Sequence, residues 1–129
     1  MAKELPKSAR VVIVGGGVIG CSIAYHLTKL GVSDVVLLER KQLTSGTTWH
    51  AAGLIGQLRD NHTMTALAQY TAELYKELEE ETGQATGYKI NGSLSTATNA
   101  ERMEDLVRRA DMAKVFRLQV DVLGPQGCK

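Results

Sequence analysis

Disulfides cannot frame this chain, because its 129 residues include only two cysteines, Cys21 and Cys128, set far apart in unrelated contexts. A reducing compartment is the default for such a sequence, so the cytoplasm is expected, with the mitochondrial matrix as the alternative in a eukaryote. Neither sign of charge is in excess: 15 Lys and Arg against 14 Asp and Glu leave +1, with His neutral. That balance offers no electrostatic footprint for nucleic acid. Nor does any stretch approach the roughly 18 to 20 apolar residues of a membrane-crossing helix. The first residues have the outline of a secretion signal, with Lys3, Lys7 and Arg10 ahead of an apolar stretch and Val18-Ile19-Gly20-Cys21 in the manner of a lipoprotein cleavage box. Three consecutive glycines interrupt that stretch, and it continues into an amphipathic helix with His26 and Lys29, whereas a signal core is uniformly apolar. A signal is therefore rejected, and no transit peptide is read there. Internal repeats and low-complexity tracts are missing as well.

With 43% hydrophobic residues the chain can bury a core, and its length suits one domain or less. The informative pattern comes early. Ala9-Arg10-Val11-Val12-Ile13-Val14 breaks into Gly15-Gly16-Gly17-Val18-Ile19-Gly20, and Val35-Val36-Leu37-Leu38 then leads to Glu39. Strand, glycine loop, helix, strand and carboxylate in that order suit a dinucleotide cofactor. Gly15, Gly17 and Gly20 are the three that count: they turn the chain tightly, let backbone N–H groups reach a pyrophosphate and let the helix pack closely on the strand. The positive end of the helix dipole replaces a charged side chain there. Glu39, 19 residues past Gly20, stands where an acidic side chain accepts hydrogen bonds from ribose hydroxyls.

Ile19, Ile23, Leu27 and Leu30 recur at helical spacing, and Gly31 can stop the helix as a left-handed cap. His26 borders that stripe with no Cys, Asp or Glu at ligand spacing, so it reads as a packed structural histidine and no metal site is expected. Cys21 reads as a small packing residue. A long helix is expected from about 63 to 81, with Met64, Leu67, Thr71, Leu74 and Leu78 on one face. Glu77, Glu79, Glu80 and Glu81 near its end read as a solvated face. Residues 88–98 read as extended, with Asn91-Gly92 as a turn or bulge. A helix over about 99–114 follows, with Thr98 and Glu101 as its capping box and Met103, Leu106, Val107 and Ala110 on one face. Leu118 to Leu123 reads as a further strand. The expected fold is α/β, a Rossmann-like βαβ unit at about 9–40. Doubly wound sheets need more parallel strands than the two clear ones here, so the chain is expected to be the N-terminal piece of a larger, two-domain protein. Residues 44–59 would form an attachment loop and 63–129 the helix-rich start of an interrupting region.

Leu43-Thr44-Ser45-Gly46-Thr47-Thr48-Trp49-His50-Ala51-Ala52-Gly53-Leu54 is a stretch that a nicotinamide-binding fold does not require. Gly46 permits close approach, Thr47 and Thr48 offer donors, and Ala51, Ala52 and Gly53 leave space for a flat ring. Here, and in Val11 to Gly20 and Leu37-Leu38-Glu39-Arg40, the chain resembles the sarcosine and dimethylglycine dehydrogenases among the D-amino-acid-oxidase-like flavoproteins. The resemblance continues through Glu73-Leu74-Tyr75, Leu78 to Gly83, Gly87-Tyr88 and Asn91 to Leu94, nearly the whole chain. It implies an FAD bonded covalently through a ring nitrogen of His50 to the flavin 8α-methyl carbon. Val18 and Ile19 would then approach the pyrophosphate, Glu39 and Arg40 hold the adenosine end, and Ser45, Gly46 and the residues to Leu54 contact the rest. Trp49 would wall the flavin pocket or simply pack in the core. Arg59 is similar to the sarcosine branch and could hold a substrate carboxylate; the alternative is an exposed arginine in a polar loop.

What the resemblance implies in chemistry is oxidative N-demethylation of sarcosine or a related N-methylglycine to glycine and formaldehyde. Relatives often use tetrahydrofolate in a C-terminal domain as the one-carbon acceptor and an electron-transferring flavoprotein as the electron acceptor. A regulatory protein of the same fold, resembling the non-enzymatic relative that regulates pyruvate dehydrogenase phosphatase, is one alternative. His50 separates the two, since that relative lacks the histidine in the corresponding stretch. A nicotinamide-dependent dehydrogenase is the other.

Overall fold

The β-branched run Val11–Val14 and its counterpart Val35–Leu38 favour strands, and the computed structural model, which describes residues 6–128, pairs them as β1 and β2. The pairing is parallel, with Val11 opposite Val35, Ile13 opposite Leu37 and Val14 opposite Leu38. Parallel strands need a crossover, which here is the helix α1, Val18–Lys29. These elements belong to the first of two units, residues 1–54; residues 55–129 form the second. Among the described residues of the first unit Ile13 is the buried hydrophobic one, and Gly20 of α1 sits against it: a Cβ at Gly20 would lie 3.3 Å from Ile13 Cγ2 and collide with the Gly15 carbonyl.

Gly31 stops α1 as expected. At φ 81° it adopts the left-handed conformation, with Gly31 N–H bonded to Thr28 O and Val32 N–H to Leu27 O, a Schellman closure. The packing face differs from the one expected. Ile19 is 74% exposed and Leu30 and Ile23 are also exposed, while Gly20 is buried and Ala24 and Leu27 half-buried. Gly20 lets the helix lie directly against Ile13 of β1. His26 is half-buried, its Nδ1 2.7 Å from Ser22 O and its ring edge-on to Tyr25, which fits the structural reading. Cys21, half-buried, places Sγ 3.5 Å from Gly16 O.

In the second unit α2 spans His62–Thr82 and α3 Ala100–Val115. Asn61 caps α2 by accepting from Met64 N–H at 2.9 Å, and Gly83 ends it at φ 68°. Its buried residues are Thr65 and Ala72, so the expected stripe is displaced: Met64 and Leu67 are exposed and Thr71, Leu74 and Leu78 lie half-buried at its border. Glu77, Glu79, Glu80 and Glu81 are exposed. In α3, Ala110 and Ala113 are buried and Met103 and Leu106 half-buried, with Val107 exposed. The two helices are tied by Gln69 Nε2 donating to Phe116 O at 3.0 Å and by the His62 and Phe116 rings 5.6 Å apart.

Two expectations need correction. The cap of α3 is Asn99, whose side chain accepts from Arg102 N–H at 2.8 Å, rather than Thr98. Adjacent Thr and Asn are both capping types; the helix starts one residue later than the Thr98–Glu101 spacing suggests. Residues 118–123 form no strand. Apolar alternation makes a strand only when a neighbour supplies the ladder, and β1 with β2 is the only paired set among the described residues. Within 88–98, Gly92 at φ 74° agrees with the turn read at Asn91-Gly92.

The cap assignment is testable: Asn99→Ala should cost about 1 kcal/mol and Thr98→Ala less than about 0.5 kcal/mol, compared by urea unfolding.

Candidate functional site

Gly15 leaves β1 at φ 107°, a conformation that strains any other residue, and its N–H extends the β1–β2 pairing by donating to Leu38 O at 2.8 Å. Gly17, extended, precedes α1 with no side-chain cap. Between them lies a second crowded position. Gly16 is buried, and a Cβ there would lie 2.5 Å from Leu43 Cδ2 and 3.0 Å from Glu39 Cβ. Its N–H donates to Glu39 Oε2 at 2.8 Å and its carbonyl accepts from Thr44 N–H at 2.8 Å. The glycine motif treats this position as free, so sequence reasoning passed it over; the run of three glycines was the available signal.

Glu39 follows β2 and turns its carboxylate onto the loop. Oε1 accepts from Lys41 N–H at 2.9 Å, and with Gly16 N–H on Oε2 each oxygen holds one backbone donor. A carboxylate has about four acceptor sites, so both oxygens retain capacity for hydroxyl donors such as those of a ribose. The Gly16 N–H, then the Lys41 N–H, holds the Glu39 carboxyl below its ordinary value, aided by the Arg40 charge and opposed by partial desolvation. Arg40 itself is exposed.

The segment after β2 folds back on the glycine loop. Thr44 sits at φ 64°, an unfavourable conformation for a β-branched residue, while its N–H is engaged by Gly16 O. Ser45 closes its own turn through Oγ to Gln42 O at 2.8 Å. A single 3-10 turn spans Thr47–His50, with Gly46 before it and Trp49 N–H bonded to Gly46 O. Thr48 docks this turn: its Oγ1 accepts from Val18 N–H at 2.9 Å and would lie 3.1 Å from a Cβ at Gly17. The bond takes up Val18 N–H, one of two groups expected to face a pyrophosphate. The first intrahelical bond is Cys21 N–H to Gly17 O, so the N–H groups of Ile19 and Gly20 are left as the donors at the helix start.

His50 ends the turn and is exposed, as are Thr47, Ala51, Ala52, Gly53 and Leu54. Trp49 is 79% exposed, which excludes core packing within this unit as the account of it. The structure thus brings together Gly15, Gly17, Val18, Gly20, Glu39 and Thr48 around one loop. Ser45, Gly46 and the residues from Trp49 to Leu54 lie on the segment docked there. Arg59 belongs to the second unit, where its backbone is bonded to Thr65 and its side chain is exposed.

A Cβ at Gly20 would strike the Gly15 carbonyl, and at Gly16 or Gly17 it would crowd the Leu43, Glu39 or Thr48 side chains, so glycine keeps the cradle open. With two helix-start donors, the positive dipole end and the acceptor capacity of Glu39, it fits a dinucleotide's diphosphate and ribose. Among the described residues no helix is long and apolar enough to cross a membrane, and no cluster of three or more His, Cys, Asp or Glu is placed to hold a metal ion.

The sequence matches the model of a family described as FAD dependent oxidoreductase over residues 10–129. It is 46% identical to human mitochondrial sarcosine dehydrogenase over 99% of this chain and 14% of that protein. Against rat mitochondrial dimethylglycine dehydrogenase it is 47% identical over 79% of this chain and 12% of the relative. With the mouse mitochondrial pyruvate dehydrogenase phosphatase regulatory subunit it shares 40% identity over 95% of this chain and 14% of the relative. The crystal structure of L-proline dehydrogenase from P. horikoshii superposes with a TM-score of 0.87 at 26% identity, covering 97% of this chain and 33% of that one. The chain therefore spans about a seventh of the length of the curated relatives it matches.

Two outcomes are expected of the loop. Gly16→Ala should cost about 1–3 kcal/mol by overpacking, read by urea unfolding. Because the folded value of Glu39 is depressed, its contribution is complete above the ordinary value of 4.5 and is lost as pH falls through the lower folded value. Stability should drop below that pH in the wild type, and Glu39→Gln should flatten this acid limb.

Proposed function

Because the chain belongs to the FAD dependent oxidoreductase (DAO) family, matched over residues 10–129, we propose that the whole protein oxidises sarcosine or a related N-methylated amino acid. In this reading FAD lies on the glycine loop and is joined covalently to His50. The observation that carries it is the Thr48 hydroxyl bonded to Val18 N–H, which seats the turn bearing His50 on the start of α1. One turn then serves both the diphosphate end and the attachment point.

Gly15 would turn the chain beneath the diphosphate, Gly17, Ile19 and Gly20 would hold it through main chain, Glu39 the ribose, Arg40 the adenosine end, and Gly46 to Leu54 the remainder. The chemistry FAD supplies when bound is acceptance of a hydride equivalent from the substrate's N-methyl carbon, after which water releases formaldehyde and, with sarcosine as substrate, leaves glycine. The protein's part is orientation and exclusion of water. A neutral imidazole at His50 has the free nitrogen lone pair that bonding to the flavin 8α-methyl carbon needs. Arg59 would pair with the substrate carboxylate in bidentate fashion, as a planar guanidinium does. An electron-transferring flavoprotein as electron acceptor and tetrahydrofolate as one-carbon acceptor complete the proposal. Two unpaired cysteines suit a reducing compartment, either cytoplasm or mitochondrial matrix.

A second reading, a regulatory protein of the same fold, draws on the 40% identity with the mouse regulatory subunit. The match to an FAD family sets aside the nicotinamide dehydrogenase that the glycine motif alone would allow. Acid precipitation of the whole protein distinguishes the rest. Yellow colour should stay with the denatured polypeptide, with the FAD mass on the His50 peptide, and His50→Ala should release all colour to the supernatant. A colourless protein, or colour still bound in His50→Ala, overturns the covalent reading.

A further inference from the structure

We propose that Thr65 is a positioning residue for Arg59, fixing the main chain from which its guanidinium reaches a substrate carboxylate; this rests on the role given to Arg59 above. Thr65 is 0% exposed and is the buried polar residue of the described chain. Its hydroxyl serves both peptide groups of one distant residue: Oγ1 accepts from Arg59 N–H at 3.1 Å and donates to Arg59 O at 3.2 Å. A hydroxyl has a single donor, and here it is spent on Arg59.

Thr65 is itself held. Its N–H donates to Asn61 O at 3.0 Å in the first turn of α2, where Asn61 Oδ1 also caps Met64 N–H. A β-branched side chain on a helix has few rotamers, and the two bonds to Arg59 keep the hydroxyl aimed at the preceding segment. Six residues upstream, Arg59 is thereby tied to a rigid element while its own side chain is exposed. Alanine is the better helix former and valine the apolar isostere. Either would strip both hydrogen bonds from the Arg59 peptide and let the backbone beneath the guanidinium shift. Bidentate pairing is sensitive to such shifts, because its two parallel bonds require a set orientation of the fork.

The test uses the whole holoprotein with sarcosine as substrate. Thr65→Val and Thr65→Ala should raise KM on the order of tenfold with kcat within about twofold, and Thr65→Ser should restore the wild-type KM. Arg59→Ala should raise KM at least as much, and adding Thr65→Val to it should change KM little further, since both act on one contact. If Arg59→Ala raises KM and the Val and Ala variants do not, the positioning role falls and the carboxylate role of Arg59 stands. If Arg59→Ala leaves KM unchanged, both fall. Should Val and Ala fail to fold, Thr65→Cys decides: it keeps the volume and weakens both bonds, so a raised KM supports the role and an unchanged KM overturns it.

Discussion

The Gly16 peptide is where three separated stretches of the first unit meet. Its N–H is bound by the Glu39 carboxylate and its carbonyl by Thr44 N–H, and a Cβ there would crowd Leu43 and Glu39. A buried peptide group must find partners, and here they come from the end of β2 and from the segment beyond it. That satisfies the peptide and also draws Glu39 and the segment after β2 to the start of α1. Thr44 accepts a left-handed backbone in the process, a local cost that the surrounding bonds offset.

The site divides its work by chain region. Main chain at the helix start provides donors without a charged side chain, so the loop is held by geometry rather than by attraction between side chains. Glu39 has a dual part, since the oxygens that orient the loop still have room for hydroxyl donors. In the second unit the same economy recurs at Thr65, where one hydroxyl satisfies both peptide groups of Arg59. In each case a short-range backbone contact holds a residue whose side chain or remaining lone pairs stay available.

Much of the cradle was legible because its signals are local. The valine-rich strands, the glycines between them, the left-handed stop at Gly31 and the carboxylate after β2 each follow from the conformational preferences of a few adjacent residues. Helix existence was legible for the same reason at α2 and α3. The packing faces were not. Gly20 and Ala24 in α1, Thr65 and Ala72 in α2, and Ala110 and Ala113 in α3 form or border the inner faces, while larger residues such as Ile19, Met64 and Leu67 are exposed. Hydrophobic periodicity weights bulk, whereas close approach of backbones favours small side chains. The strand read at 118–123 failed for a related reason: its pattern is local, but its ladder would have to come from elsewhere.

The chain by itself determined the order of strand, loop, helix and strand, the glycine conformations and the placing of an acidic residue after β2. Those depend on dihedral preferences and on spacing along one chain. Only the tertiary structure decided that Gly16 is the hub, that Thr48 takes Val18 N–H, that Asn99 rather than Thr98 caps α3, and that Thr65 grips Arg59. Each of these is a choice among several chemically able partners, and it is settled by which atoms folding brings within about 3 Å of one another.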